Sequence, residues 1–397
     1  MLTTQDIRIV KSTVPLLEAG GTAITDHFYQ RMFNHNPELQ DIFNMSNQHT
    51  GRQKLALFEA IAAYAKNIDN IAVLKHAVER IANKHTSFHI QPKDYDIVGH
   101  HLIETLRELL PEQFTEEVES AWTKAYGVLA NVFIDREEQL YQDRENSKGG
   151  WRGKRAFAVV DKIQESELVT SFVFEPVDQQ AVMDYQPGQY IGIELKPNTS
   201  NHIEIRQYSL STAANGKQYR ISVKREQGQI QGLMSNYLHD HIQVGDLLDL
   251  HPPAGDFYFI DKQQPVVLIS AGVGVTPMQA ILDTLVAQGY QQQVSYLHAC
   301  ENAKQHSFNS HTQSICQQHG WQHFTWYNQG VPAGDTLGEN IAIGFMDFSQ
   351  VSLPLSQGDF YLCGPLAFMD FAKQQLLNLD VSEERIHYEV FGPHANL

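Results

Sequence analysis

Three short runs beyond residue 150 have residue types that can grip phosphates and flat aromatic ligands. They are Arg206-Gln207-Tyr208-Ser209, Gly272-Val273-Gly274-Val275-Thr276-Pro277 and Cys363-Gly364-Pro365. The glycine run follows the apolar segment Val266-Val267-Leu268-Ile269 and opens a helical one. Glycines let the backbone come close to a ligand, and free N–H groups at a helix start attract phosphate. Thr276 is placed to N-cap that helix, Pro277 to take its first position and Gln279 to complete a capping box. A Gly-x-Gly turn by itself fits a structural strand–loop–helix as well as it fits a phosphate site. The Thr-Pro after it, and the Cys-Gly-Pro closing a later strand, favour the phosphate site. Arg206 can pair bidentately with a pyrophosphate, and Tyr208 offers a ring face and a hydroxyl to a planar ligand. On composition alone the same run is a strand with one exposed arginine and a half-buried tyrosine.

A second kind of chemistry is suggested before residue 147. Eight of the 19 histidines fall there, His27, His35, His49, His76, His85, His89, His100 and His101. Any one of them could ligate a metal, and each could equally be a surface residue. His85, in Lys84-His85-Thr86-Ser87-Phe88, is favoured by context. It follows the amphipathic stretch Leu74 to Ile81 and precedes the turn expected at Pro92.

The elements that must position these residues change character along the chain. Residues 1–146 carry 3.6-residue periodicity, as in Leu55, Phe58, Ile61 and Ala62, and in Ala121, Trp122, Ala125, Leu129, Val132 and Phe133. Six to eight helices are predicted, one starting at Asn36 as N-cap with Pro37 in the first position, and turns at Pro92 and Pro111. Asn146-Ser147-Lys148-Gly149-Gly150 has the composition of a linker. Beyond it, β-rich runs such as Phe157–Val160, Thr170–Phe174, Tyr190–Leu195 and Tyr219–Val223 predict an antiparallel barrel over 151–261. From 262 to 397, near-continuous apolar strands alternate with helical segments, the pattern of a doubly wound α/β domain. The fold class is therefore multidomain: all-α, then antiparallel β-barrel, then α/β.

Bulk properties exclude other classes. A net charge of −17 and a pI near 5.5 argue against nucleic acid or an anionic membrane surface as partner. Cys300, Cys316 and Cys363 are too few and too scattered for a disulfide framework or a zinc site. Cys363, beside a glycine and a proline at a strand end, suits packing or ligand contact better than nucleophilic attack. No secretory signal is visible, and no apolar run approaches the ~20 residues that span a bilayer. A cytoplasmic monomer with no obligate membrane partner is expected.

The C-terminal motifs resemble those of the ferredoxin-NADP reductase family: Arg-x-Tyr-Ser for flavin, Gly-x-Gly-x-Thr-Pro for nicotinamide dinucleotide, and Cys-Gly-Pro near the nicotinamide. The helical part resembles a globin. End to end, the chain is similar to the flavohaemoglobin family, on Tyr29, Phe43, Gln53, Leu57, His85, Tyr95, Glu137 and the run Tyr388-Glu389-Val390-Phe391-Gly392-Pro393-His394. The resemblance implies a role for each of these positions. His85 becomes the proximal ligand of a haem b iron, oriented by Tyr95 and Glu137. Tyr29 becomes a distal donor to O2, with Phe43, Gln53 and Leu57 in the same pocket. Tyr190, Arg206, Gln207, Tyr208 and Ser209 contact FAD, as do Gly232 and Ser235 of a Gly-x-x-Ser segment and Phe391. Gly272, Gly274, Thr276, Pro277, Cys363, Gly364 and Pro365 contact NAD(P)H, and Lys84 and Glu389 lie between flavin and haem. Without the resemblance, Glu137 is a solvated acid in Asp135-Arg136-Glu137-Glu138, and Tyr29 with Phe33 is plain core.

The activity so implied is nitric oxide dioxygenation. NAD(P)H reduces FAD, FAD reduces the haem iron, and ferrous haem with O2 converts NO to nitrate. Two other readings stand beside it. One is a plain NAD(P)H-dependent flavin or ferric reductase with a helical docking module, hydroperoxide reduction being a side activity. The other is a gas sensor, weakened by the lack of an output segment. Nothing after Tyr296-Leu297-His298 selects a 2′-phosphate or a ribose diol clearly; NADH is the expected donor.

Overall fold

The structure, a computed structural model of the chain, describes every residue except 1, 44–51, 228–231, 330–337 and 393–397, together with the side chain of Arg52. His49, Pro393 and His394 lie outside the described residues. Two compact units emerge: one of residues 1–147, 151–153 and 194–206, and one of residues 148–150, 154–193 and 207–397.

The first unit is helical. Its α-helices are α1 (Thr4–Ser12), α2 (Val14–Gly20), α3 (Thr22–His35), α4 (Arg52–Lys66), α5 (Lys75–Thr86), α6 (Pro92–Leu109) and α7 (Glu116–Asn146). These seven, among the described residues, fall within the predicted range. Pro92 does open a helix, and Gln91 with Asp94 makes a capping box there. Helix α7 is capped by Thr115 and is 31 residues long. Its first half buries Ala121, Trp122 and Ala125 beside Phe28, Met32 and Leu106. Its second half turns Phe133, Glu137, Leu140, Tyr141 and Arg144 inward. Helices α6 and α7 approach closely at Gly99, where an added Cβ would lie 2.4 Å from the Tyr126 ring.

Two local expectations differ from the structure. Pro37–Asp41 is a 3₁₀ turn, and Asn36 makes no capping bond; its amide donates to Glu38 while its carbonyl accepts from His101. Leu55 is 47% exposed. Helix α4 instead packs Leu57, Ile61, Tyr64 and Ala65 on the core, a stripe one step round the helix.

The second unit contains most of an antiparallel sheet and all of a parallel one. The antiparallel sheet has strand order β4-β3-β6-β1-β2-β5, with β1 (Arg155–Gln164), β2 (Val169–Pro176), β3 (Tyr190–Leu195), β4 (Glu204–Ser209), β5 (Tyr219–Lys224) and β6 (Leu247–Leu250). A bulge between Val159 and Asp161 bends β1. An isolated bridge between Leu210 and Ile221 joins the two outer strands, curling the sheet into a barrel. Helix α8 (Leu233–His241) follows β5.

The parallel sheet runs β10-β9-β8-β7-β11-β12, comprising β7 (Val266–Ala271), β8 (Val294–Cys300), β9 (Gln322–Tyr327), β10 (Ile341–Ile343), β11 (Asp359–Cys363) and β12 (Ile386–Glu389). Helices α9 (Val275–Ala287), α10 (Asn309–His319) and α11 (Leu366–Asn378) connect these strands. The winding reverses between β7 and β11, which places the ligand crevice beyond the carboxyl ends of those two strands. No helix among the described residues is long and apolar enough to cross a membrane.

Candidate haem, flavin and dinucleotide sites

The proximal arrangement begins with three helices of the first unit. Helix α5 carries His85 in its last turn, α6 carries Tyr95 in its first, and α7 brings Glu137 from its second half. His85 Nδ1 lies 2.8 Å from Glu137 Oε1 and 2.9 Å from the Tyr95 hydroxyl. The Tyr95 hydroxyl lies 2.5 Å from the same Glu137 oxygen. Burial first, and the neighbouring Glu137 second, hold the Tyr95 phenol well above its usual range, so it keeps its proton. One proton means one donation, and the carboxylate is the acceptor. Tyr95 can then only accept from His85, so Nδ1 carries the imidazole proton and donates to both partners. Nε2 is left with its lone pair, on a side chain that is 33% exposed. That is the donor an axial haem ligand requires.

Helix α5 is gripped along its length. Arg136 pairs with both oxygens of Glu79 at 2.7 Å. Buried Arg144 donates to Thr86 Oγ1 at 2.5 Å and to Asn83 Oδ1 at 2.9 Å. Arg136 thus holds the helix before His85, Glu137 holds it at His85, and Arg144 spans it from Asn83 to Thr86. Arg144 was not anticipated. Its only trace in the sequence is the i, i+7 spacing from Glu137, which puts both on one helix face.

In a separate hydrophobic cluster of the helical unit, Tyr29 of α3 is 4% exposed. It stacks on Phe33 and meets Phe43 edge-on, with centroids 5.8 Å apart in each case. Phe43 is half-buried, as are Gln53 and Leu57 one turn apart on α4. Leu57 and Phe43 pack on the cluster that contains Tyr29.

In the antiparallel sheet, Tyr190 opens β3 with its amide bonded to the Ala254 carbonyl at 2.9 Å. Arg206, Gln207 and Tyr208 are half-buried on β4, and Ser209 is buried. The Arg206 guanidinium pairs with Glu204 at 2.6 Å, so any pyrophosphate it binds must share or displace that carboxylate. Gly232 precedes α8, and a Cβ there would sit 2.4 Å from Ser235 Oγ. The stretch 228–231 before it lies outside the described residues.

The two remaining motifs meet at the reversal of the parallel sheet. Gly272 has φ +54°, and a Cβ on Gly274 would lie 2.1 Å from the Cys363 carbonyl oxygen and 2.6 Å from the Gly364 nitrogen. A Cβ on Gly364 would in turn press on Phe368 and Ala271. Only glycine permits the two loops to touch in this way. Helix α9 starts at Val275 after Gly274, so Thr276 does not cap it. Thr276 donates to the Val273 carbonyl and Gln279 to Asp283, so the capping box is absent. The 3₁₀ turn Gly272–Gly274 runs directly into the helix and takes the place of a capping residue. Cys363 is fully buried, and burial pushes its thiol well above the usual range; it is no nucleophile. Pro365 is exposed. Glu389 is paired in register with Cys363 and half-buried, and Phe391 is 42% exposed. Lys84, half-buried, belongs to the helical unit.

Comparison with known proteins finds three families along the chain. Residues 26–133 match the globin family, 156–259 the oxidoreductase FAD-binding domain and 268–374 the oxidoreductase NAD-binding domain. The chain is 58% identical, over 100% of both chains, to the flavohemoprotein of Vibrio cholerae serotype O1. It belongs to the flavohemoprotein family. A crystal structure of flavohemoglobin from Malassezia yamatoensis with bound FAD and heme superposes with a TM-score of 0.86 at 28% identity, covering 98% of this chain and 100% of that one. The flavohem-like FAD/NAD-binding domain of nitric oxide dioxygenase from Vibrio cholerae O1 biovar El Tor is 52% identical, with a TM-score of 0.57 over 61% of this chain and 100% of that one. This family member is accordingly an oxidoreductase that joins a haem-type globin domain to FAD- and NAD-binding domains.

Proposed function

We propose that the chain is an NAD(P)H-dependent nitric oxide dioxygenase with domains 1–146 for haem b, 151–261 for FAD and 262–397 for NAD(P)H. The observation that carries the reading is the proximal triad, in which the buried Glu137 carboxylate and the Tyr95 hydroxyl accept from His85 Nδ1. A carboxylate–histidine pair raises ligand basicity and suits an iron that activates O2 more than one that stores it. When bound, the three groups supply a two-electron donor, a flavin able to release electrons singly and an iron that accepts them one at a time.

The residues divide the remaining work. His85 holds iron through Nε2, while Glu137 and Tyr95 keep the proton on Nδ1. Tyr29 donates its hydroxyl proton as a hydrogen bond to O2 in the distal pocket, walled by Phe43, Gln53 and Leu57, and steadies negative charge developing there. Tyr190, Arg206, Gln207, Tyr208, Ser209, Gly232, Ser235 and Phe391 hold FAD. Gly272, Gly274, Thr276, Pro277, Cys363, Gly364 and Pro365 hold the dinucleotide, and Lys84 and Glu389 assist passage from flavin to haem.

The decisive experiment is consumption of NO by the haem- and FAD-loaded enzyme in air with NADH, with nitrate measured as product. One nitrate per NO supports the reading. NADH oxidation without NO loss would leave a flavin or ferric reductase. Tyr29→Phe is expected to speed O2 dissociation and lower NO turnover; unchanged O2 dissociation would remove Tyr29 from its role.

A further inference from the structure

Arg220 is on β5, which the Leu210–Ile221 bridge joins to the end of the strand that carries Tyr208 and Ser209. Its Nε donates to Ser211 Oγ at 3.1 Å, and its Nη2 donates to the Ser211 carbonyl. The Ser211 amide donates back to the Arg220 carbonyl at 2.9 Å. Ser211 is two residues past Ser209, so the guanidinium is tied to the end of the flavin motif.

From that anchor it reaches the parallel-sheet domain. Nη2 lies 3.7 Å from Asp283 Oδ2, and the guanidinium carbon sits 5.2 Å over the Phe308 ring. Asp283 is on α9, about two turns after Thr276 and Pro277. Its Oδ1 accepts from Gln279 Nε2 at 2.7 Å and from His311 Nε2 at 3.0 Å. Gln279 is fully buried and accepts in turn from Thr312 Oγ1 at 3.0 Å. One carboxylate therefore gathers β5, α9 and α10. The side chains of Arg220 and Asp283 are only 19% and 15% exposed, so water screens them less than a surface pair.

Phe308 adds a second observation. It holds φ +61° while 6% exposed, a conformation that costs a bulky residue energy and persists only where surroundings impose it. The segment before it is laced to the antiparallel sheet. Ser307 Oγ donates to Ser166 Oγ at 3.0 Å, and the Glu167 amide donates to the Lys304 carbonyl at 2.9 Å.

We propose that Arg220, with Asp283, is a positioning residue that fixes the nicotinamide motif of α9 against the flavin motif of β4. The inference rests on the FAD and NAD(P)H assignments above. The step it serves consumes NAD(P)H and a solvent proton and yields NAD(P)⁺ and two-electron-reduced FAD. Neither residue touches the reacting atoms; both set their separation, to which such transfers are steeply sensitive.

The test uses the full chain loaded with haem and FAD, as Arg220→Gln, Asp283→Asn and the double variant. Flavin reduction by NADH is followed in anaerobic stopped flow, alongside FAD content and amide exchange at Glu167 and 304–308. Each single variant should lose roughly tenfold or more in limiting rate, with half-saturating NADH and FAD content little changed and with faster exchange at those amides. The double variant should be no slower than the slower single, because both changes cut one strut. Limiting rates equal to wild type, or losses that multiply in the double variant, would overturn the proposal. Asp283→Asn, remote from the flavin motif, decides the matter should Arg220→Gln bind FAD poorly. A wild-type chain whose flavin NADH cannot reduce would bring down the parent assignment as well, an outcome distinct from variants that match an active wild type.

Discussion

Three imidazoles are stacked inside the parallel-sheet domain, and they make its stability depend on pH. His298 lies on β8, His323 on β9 and His306 in the segment that leads to α10. They are 0%, 7% and 4% exposed. His306 stacks between the other two, with centroid separations of 4.7 and 6.2 Å. His298 Nδ1 is bonded to Ser270 Oγ at 2.9 Å, and His306 Nδ1 to the Tyr327 hydroxyl at 3.0 Å. No acid pairs with any of the three among the described residues. Burial, reinforced for His298 and His306 by neighbouring imidazoles, pushes His298 down to about 3, His323 to about 4, and His306 well below the usual value.

These folded values lie below the unfolded value of about 6.5, so the unfolded chain takes up more protons as pH falls. The stability contributed is complete above pH ~6.5 and is lost on descent toward the folded values. At pH 5 each imidazole costs about 2 kcal/mol, being 1.5 units at 1.36 kcal/mol per unit. His298 and His323 together cost about 4 kcal/mol, and His306 acts in the same direction. A domain with about 5–15 kcal/mol in hand would feel this strongly. The assay is amide exchange of β8 and β9 between pH 7 and 5, corrected for the intrinsic rate, which confines the readout to this sheet. His298→Asn should lower the slope by about one proton, or ~1.4 kcal/mol per pH unit, between pH 6 and 5. Protection that does not change with pH, or a variant with the wild-type slope, would refute the reasoning.

Other changes test the sites directly. Glu137→Gln keeps an acceptor for Tyr95 and His85 but removes the charge, so the reduction potential of bound haem should rise, by about 60 mV for each tenfold change in ferric over ferrous preference; spectroelectrochemistry reads it, and an unchanged potential would deny the carboxylate its push. Gly274→Ala drives a Cβ into the Cys363 carbonyl, a backbone atom that cannot step aside; NAD⁺ affinity by calorimetry should collapse while FAD is retained. Arg144→Met leaves Thr86 and Asn83 without this buried donor and should cost ~1–3 kcal/mol, seen as a lower denaturant midpoint for the haem-free protein.

What was legible in the sequence was what is local. The glycine turn, the Thr-Pro after it and the apolar strand before it are contiguous, so their joint meaning survives without tertiary knowledge. Helical periodicity was equally plain, yet it left open which stripe of α4 faces inward, and Leu55 proved to be outside it. Capping at Thr276 failed because the 3₁₀ turn Gly272–Gly274 runs straight into α9. The run Asp135-Arg136-Glu137-Glu138 shows the limit best. Read alone it is a solvated charge cluster. In the fold Arg136 turns to Glu79, Glu138 to Arg152, and Glu137, 3% exposed, to His85 and Tyr95. Adjacent residues point about 100° apart on a helix, so a charge run is divided among partners that no local rule can name. Arg220 and Asp283 are 63 positions apart and share no motif.

The proximal triad also explains why two groups accompany one imidazole. A carboxylate alone would accept the Nδ1 proton but could let the ring swing about that single bond. Tyr95 supplies a second point of contact, and its own proton is committed to Glu137, so it cannot compete as a donor for the imidazole. The shared oxygen, Glu137 Oε1, therefore receives two hydrogen bonds within 2.8 Å. Replacing Tyr95 by Phe leaves that oxygen to the imidazole alone, so the carboxylate should hold the Nδ1 proton more strongly and the potential shift of Tyr95→Phe should carry the sign opposite to that of Glu137→Gln; a shift of the same sign in spectroelectrochemistry would refute the sharing.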